Sequence, residues 1–182
     1  MRATRLAVLP WTPATTQLRA RVAFVRSVVG DAWPDVSDAA LLATLDDWLA
    51  PYLAGATGRA DLDRLDLGIL LRSMLPWPLG AELDELAPAT WTLPTGCEAR
   101  IDYEEERPTV SVRVQDVFGV TTHPTVAGGR VPLTMSLLSP ADRPIQVTSD
   151  LPGFWTGSWA DVRKDLAGRY PKHRWPHHPE RP

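Results

Sequence analysis

The apolar residues of this chain repeat with one period before Pro88 and another after it. Before Pro88 they recur every three or four positions: Leu18, Val22, Val25 and Val29, then Leu41, Leu42, Leu45, Trp48 and Leu49. A helix has about 3.6 residues per turn, so that spacing lays them along one side of it. After Pro88 they recur at every second position: Ala99, Ile101 and Tyr103 after Cys97, then Val110, Val112 and Val114, then Val131, Leu133, Met135 and Leu137, then Ile145 and Val147. Successive side chains of a strand point to opposite faces, so each run has an apolar and a polar side. One period cannot be read as the other. The expected fold is therefore α+β: a helical subdomain over 1–88, then a mostly antiparallel β-rich subdomain over 89–182. The second part ends in a closing helix and an extended, Pro-rich C-terminal tail, and the two are expected to form one compact unit.

Punctuating residues place the elements. Thr12 before Pro13 is a cap and first-turn pair for the first helix, and Gly30 stops it. Ser37 or Asp35 caps a second helix that Pro51 ends, and "GATGRAD" reads as a loop. A third helix is expected from Leu65 to Leu75 and a short fourth from Ala81 to Leu86. Ser158 followed by Asp161 has the spacing of a capping box for a last helix, Trp159 to Ala167. "EEERP" and "SPADRP" read as turns between strands. Trp48, Trp77 and Trp155 read as core anchors, because a large apolar ring usually finds a buried place.

The chemistry the sequence lacks narrows its function. There is no GxxxxGK[ST] loop, so nothing here can cradle a nucleotide phosphate in that way. Gly128-Gly129 stands before a strand rather than between a strand and a helix, and reads as a turn. GxSxG, HExxH and CxxC are absent. "YEEER" is a solvated turn rather than an acid/base pair, which needs one carboxyl buried and one ionised. No apolar run approaches the ~20 residues of a membrane span. The single cysteine, Cys97, cannot close an internal disulfide, which fits a reducing cytoplasm. We expect no catalytic residue, no metal and no cofactor in this chain.

Charge is laid out in blocks. Residues 1–30 carry five arginines and no acid, while residues 31–88 carry eleven acids and three arginines. Residues 158–182 carry six Lys and Arg against three acids. The ends are basic, the middle acidic, and basic ends can face phosphate. The last segment, "GRYPKHRWPHHPE", concentrates the question. His173 and His177 are four apart, but Pro171, Pro176 and Pro179 forbid a continuous helix that would aim both at one metal. Two readings remain open. Tyr170, Trp175 and His173 can stack bases while Arg169, Lys172 and Arg174 hold phosphates, with Arg19 and Arg26 of the basic first helix added. Alternatively, the rings pin the chain end to a domain, with Trp175 at least half buried and Tyr170 and Trp175 apart along an extended path.

Several stretches in order carry a family resemblance: "LPW" at Leu9–Trp11, "WPDVSD" at Trp33–Asp38, "LLATLDDWLAPYLAG" at Leu41–Gly55 and "RIDY" at Arg100–Tyr103. "VRVQDVFGV" at Val112–Val120, "AGGRVPLTMSLLSPADRPIQVTSDLPGFWTGSW" at Ala127–Trp159 and "VRKDLAGRYPKHRWP" at Val162–Pro176 complete the set. Together they resemble the C-terminal region of the bacterial DEAH-box ATP-dependent helicases of the HrpB family. One acid differs: Asp116 stands where the family's "LQEVFG"-like motif has a longer side chain. The resemblance implies an accessory domain with upstream helicase motor domains in the same polypeptide, and a cytoplasmic protein. ATP and Mg would belong to that motor, and no ATP-binding residue carries over to any position here. It also implies that the chain is a piece of a longer one, Arg2 to Trp11 resembling the end of a helical segment. Single-stranded RNA or DNA is the implied partner. A protein-docking module that recruits the helicase to another protein, through apolar and Trp-rich surface, is the alternative.

Overall fold

In the computed structural model, residues 5–55 and 57–181 are described. Of the helical end expected over Arg2 to Trp11, residues 2–4 lie outside them. The chain divides into two compact units between Ala87 and Pro88.

The first unit is helical. A 3-10 turn at Arg5–Val8 leads to α1 (Pro13–Val29), α2 (Asp38–Ala43), α3 (Leu45–Trp48), a second 3-10 turn at Ala50–Leu53, α4 (Arg59–Leu62), α5 (Leu67–Ser73) and α6 (Leu79–Leu86). α1 starts as expected: the Thr15 amide donates to the Thr12 hydroxyl, and the Thr12 amide to the Thr15 hydroxyl. Leu18, Val22 and Val25 are buried, while Val29 at the end is exposed. One core cluster joins Leu6, Leu9, Leu41, Trp48, Leu49, Leu67 and Leu70.

The single second helix expected from the sequence is two. Thr44 leaves helical geometry (φ −110°, ψ 22°) and its hydroxyl donates back to the Ala40 carbonyl at 2.9 Å. A β-branched residue that bonds its own preceding turn competes with the helix ladder. The ring nitrogen of Trp48 then donates to the Leu41 carbonyl at 2.9 Å, so the break still buries the ring. The expected loop "GATGRAD" turns into α4 at Arg59 instead, because the Asp61 carboxylate collects the amides of Thr57 and Gly58. Those two bonds hold the Asp61 carboxyl below its usual range.

Arg21 ties this unit together. Its guanidinium is buried, donating to the Ala87 carbonyl at 2.6 Å and to Asp84 at 2.5 Å. It closes the end of α6 against α1. Arg21→Met keeps the apolar stem and leaves the Ala87 carbonyl without its donor. We expect a loss of about 1–3 kcal/mol, read from urea unfolding of the intact chain.

The second unit is built on a five-stranded sheet in the order β1 (Thr90–Thr92), β2 (Glu98–Asp102), β3 (Thr109–Arg113), β6 (Thr134–Leu138), β7 (Pro144–Thr148). Every neighbouring pair is antiparallel except β3 with β6, which is parallel, with Val110 opposite Met135 and Val112 opposite Leu137. These residues, with Ala99 and Ile101, form the buried face. A parallel pair needs a long crossover. Here it holds a 3-10 turn at Val114–Val117 and a small hairpin, β4 (Thr125–Val126) with β5 (Val131–Pro132). The run from Val131 to Leu137 is therefore split between two sheets. Pro132 has no amide to donate, and the chain changes ladders at Leu133, whose amide bonds the Pro124 carbonyl at 3.0 Å.

Two helices follow the sheet, α7 (Leu151–Thr156) and α8 (Trp159–Arg169). The sequence pattern predicts only the second of them. The Asp150 side chain caps α7 at the Gly153 amide, 3.0 Å. His123 anchors its start: one ring nitrogen accepts from the Leu151 amide at 3.0 Å and the other meets the Leu133 carbonyl at 2.7 Å. The expected Ser158 capping box is absent. Ser158 is itself helical (φ −79°, ψ −5°), directly after the α7 end, and its side chain caps nothing. Trp77 also departs from expectation, being 93% exposed between Pro76 and Pro78, whereas Trp48 and Trp155 are buried.

Candidate nucleic-acid interface

α8 ends where Tyr170 donates its amide to the Leu166 carbonyl, and the tail begins. Its path differs from the extended one expected. The His173 amide bonds the Tyr170 carbonyl at 3.1 Å, folding Pro171–Lys172 into a turn. The Trp175 ring nitrogen bonds the same Tyr170 carbonyl at 2.9 Å. Tyr170, His173 and Trp175 thus stand in succession, with ring centroids 6.3 Å apart at each step. Two donors on one carbonyl decide this: a local turn satisfies groups that a straight path would leave to water.

The tail is fastened to its unit along its length. Trp159 donates from its ring nitrogen to the Pro176 carbonyl at 3.0 Å. The Tyr170 hydroxyl meets the Ser139 hydroxyl at 3.3 Å. The Gly119 amide donates to the Pro179 carbonyl at 2.7 Å, and Pro179 is buried. Beneath lies an aromatic cluster: Trp159 packs edge-on against Phe118 at 5.6 Å, Trp155 at 5.4 Å and Phe154 at 5.9 Å, and meets Trp175 at 6.4 Å. Tyr170 and Trp175 are half-buried and His173 is exposed.

The cations separate into two kinds. Arg169 pairs with Asp165 one turn earlier on α8, at 3.1 Å, both side chains being exposed. Lys172 and Arg174 are exposed and make no hydrogen bond or ion pair among the described residues. Lys164 on α8 is in the same state. The tail's own acid, Glu180, lies 3.4 Å from His178.

Arg19 and Arg26 belong to the other unit. Arg19 donates to the Val36 carbonyl and to Asp38, both at 2.6 Å, and lies over the Trp11 ring at 5.4 Å. Arg26 donates to the Trp33 carbonyl and pairs with Asp31 at 2.7 Å. Each holds the segment that follows α1, a role that no spacing or charge pattern reports. Arg169, Tyr170, Lys172, His173, Arg174 and Trp175 come together on the second unit. Among the described residues no three His, Cys, Asp or Glu side chains gather in a way that would hold a metal, and no helix is long and apolar enough to cross a membrane.

A segment of this kind, with two rings half-buried, a third exposed and cations exposed beside them, has the parts that single strands use: faces for bases and charges for phosphates. Comparison with known proteins bears on what carries it. Residues 48–179 match the family described as ATP-dependent helicase C-terminal. The chain is 45% identical over 176 residues to an ATP-dependent RNA helicase HrpB from Escherichia coli strain K12, covering 96% of this chain and 22% of that protein. A crystal structure of E. coli DExH-box NTPase HrpB superimposes with a TM-score of 0.91 at 44% identity, over 97% of this chain and 22% of that one. A crystal structure of E. coli DEAH/RHA helicase HrpB gives 0.77 at 43%, over 93% of this chain and 22% of that one. The chain thus spans about a fifth of the length of the relatives it matches.

Proposed function

The chain belongs to the HrpB helicase family, in which it corresponds to the C-terminal region, and on that premise we propose that it is a non-catalytic accessory domain whose tail engages single-stranded RNA or DNA. The motor that hydrolyses ATP with Mg lies upstream in the same polypeptide, in the cytoplasm, and this domain adds a hold on the strand that the motor moves. One observation carries the reading. The tail is fastened by its rings and carbonyls, yet Lys172 and Arg174 are left exposed and without a partner among the described residues. Lys172 and Arg174 thus stand on either side of the exposed His173, on a segment whose Tyr170 and Trp175 rings are half-buried, and are free to meet phosphate.

The experiment is a salt titration. Fluorescein-labelled single-stranded RNA is bound to the 182-residue chain, and affinity is followed by anisotropy from about 50 to 200 mM salt. We expect the affinity to fall steeply, with a log–log slope of about −0.7 for each phosphate held. Absence of RNA and DNA binding at the lowest salt would overturn the reading. Docking to another protein is the second reading, and Trp77 favours it: a ring 93% exposed in a Pro-Trp-Pro turn is a ready anchor. Association through that surface would be nearly indifferent to salt.

A further inference from the structure

Among the parts of the second unit that the tail touches through polar groups is the turn between β6 and β7, and that turn carries a cation of its own. Ser139 is the pivot. Its amide donates to the Arg143 carbonyl at 2.8 Å. Its hydroxyl oxygen accepts from the Arg143 amide at 3.2 Å and lies 3.3 Å from the Tyr170 hydroxyl. The Arg143 backbone and the phenol end of Tyr170 therefore meet on one residue that is itself buried.

The charge of the turn is uneven. Its acid, Asp142, receives two bonds from the Arg113 guanidinium, at 2.8 and 2.9 Å. That contact holds the Asp142 carboxyl below its usual range and raises Arg113 in turn, so the two neutralise each other. Arg143 is left over. It is exposed, and its guanidinium has no hydrogen bond or ion pair among the described residues. At the other end of Tyr170, its carbonyl holds Trp175, on the segment that bears Lys172, His173 and Arg174. Ser139 on one side and the Tyr170 carbonyl on the other thus link the turn that bears Arg143 to the segment that bears Lys172 and Arg174.

We propose that Arg143 is a further phosphate anchor of the tail site, and that the site takes an internal stretch of single strand, with a base on the Tyr170–His173–Trp175 rings and phosphates held on both sides of it. This rests on the nucleic-acid reading above. A base has a phosphate on each side only within a strand. A paired base has its faces covered by its neighbours and cannot offer one to a ring without unstacking. Duplex is therefore excluded from the ring step, though its phosphates can still meet the cations.

The test uses the intact chain, a labelled oligouridylate, an abasic oligomer of equal length and an RNA duplex. Arg143→Ala should weaken oligouridylate binding about threefold or more at low salt and flatten the salt slope by about 0.7. Arg143→Lys should restore most of that loss, and the melting temperature should not move. Arg107→Ala is the control, because Arg107 precedes β3 and so lies at the sheet end opposite Arg113 and Asp142. The abasic oligomer and the duplex should bind more weakly than oligouridylate. If Arg143→Ala matches Arg107→Ala while the native chain binds strand, the Arg143 assignment fails and the nucleic-acid reading stands. If the abasic oligomer or the duplex binds as well as oligouridylate, the stacking step fails. If the native chain binds no strand, the reading beneath both is wrong.

Discussion

Replacing Trp159 with alanine should lower the stability of the second unit by about 3–5 kcal/mol, as large-to-small changes of buried aromatics do. Its side chain is 1% exposed and meets Phe118, Phe154, Trp155 and Trp175. Removal takes away the apolar contact and leaves a space that four rings cannot readily close. It also strips the Pro176 carbonyl of its donor. The tail should loosen with the core, since Trp175 packs on the lost ring. The measurement is urea unfolding, with limited proteolysis reporting whether cleavage after Arg169 or Lys172 speeds up. Trp159→Phe separates the two contributions: it keeps a ring and loses the hydrogen bond, so it should cost much less. A Trp159→Ala chain as stable as the native one would mean that the tail and α8 are not held as described.

The parts of this fold that are legible in the sequence are those where one local signal has no competitor. Thr12-Pro13 opens α1, and strict alternation marks β2, β3, β6 and β7. The parts that are not legible depend on residues far apart. The parallel pairing of β3 with β6 joins runs separated by a crossover, and no local pattern reports which strand lies beside which. α7 is within reach: Asp150 before Leu151-Pro152 is a cap followed by a first-turn proline, but its apolar residues are too few to show a period. Ser158–Asp161 has the right spacing and the wrong backbone, which spacing does not record.

At the site, the residue types in the tail are legible and their arrangement is not. An extended path would hold Tyr170 and Trp175 apart, but a shared carbonyl folds them together with His173. Arg19 and Arg26 carry a strong charge signal in a segment without acids, yet charge count does not show that Val36, Asp38, Trp33 and Asp31 wait for them. Arg143 gives no signal, because it reaches the tail only through Ser139. Trp77 breaks the rule that large rings are buried, because its flanking prolines hold it in an exposed turn.

Changing Lys172 and Arg174 together to glutamate should abolish most single-strand binding while leaving the fold intact. The two side chains are exposed and make no bond among the described residues, so nothing structural is removed. Surface changes of this sort usually move stability by no more than about 0.5 kcal/mol. Binding should differ: under the proposed function each lost cation ends one phosphate contact and each new carboxylate repels the strand. With alanine in place of glutamate, the salt slope should flatten by about 1.4, the share of two phosphates on a single strand. Arg169→Ala makes the internal comparison. Arg169 already has Asp165 for a partner, an exposed pair worth little to stability, so its loss should weaken binding less than that of either free cation. The opposite pattern decides against the proposal. If the Lys172/Arg174 variants melt much earlier yet bind RNA as before, the cations serve the fold and the tail is a clamp. If melting and binding are both unchanged, the strand is held elsewhere or not by this domain, and the exposed Trp77 becomes the surface to follow.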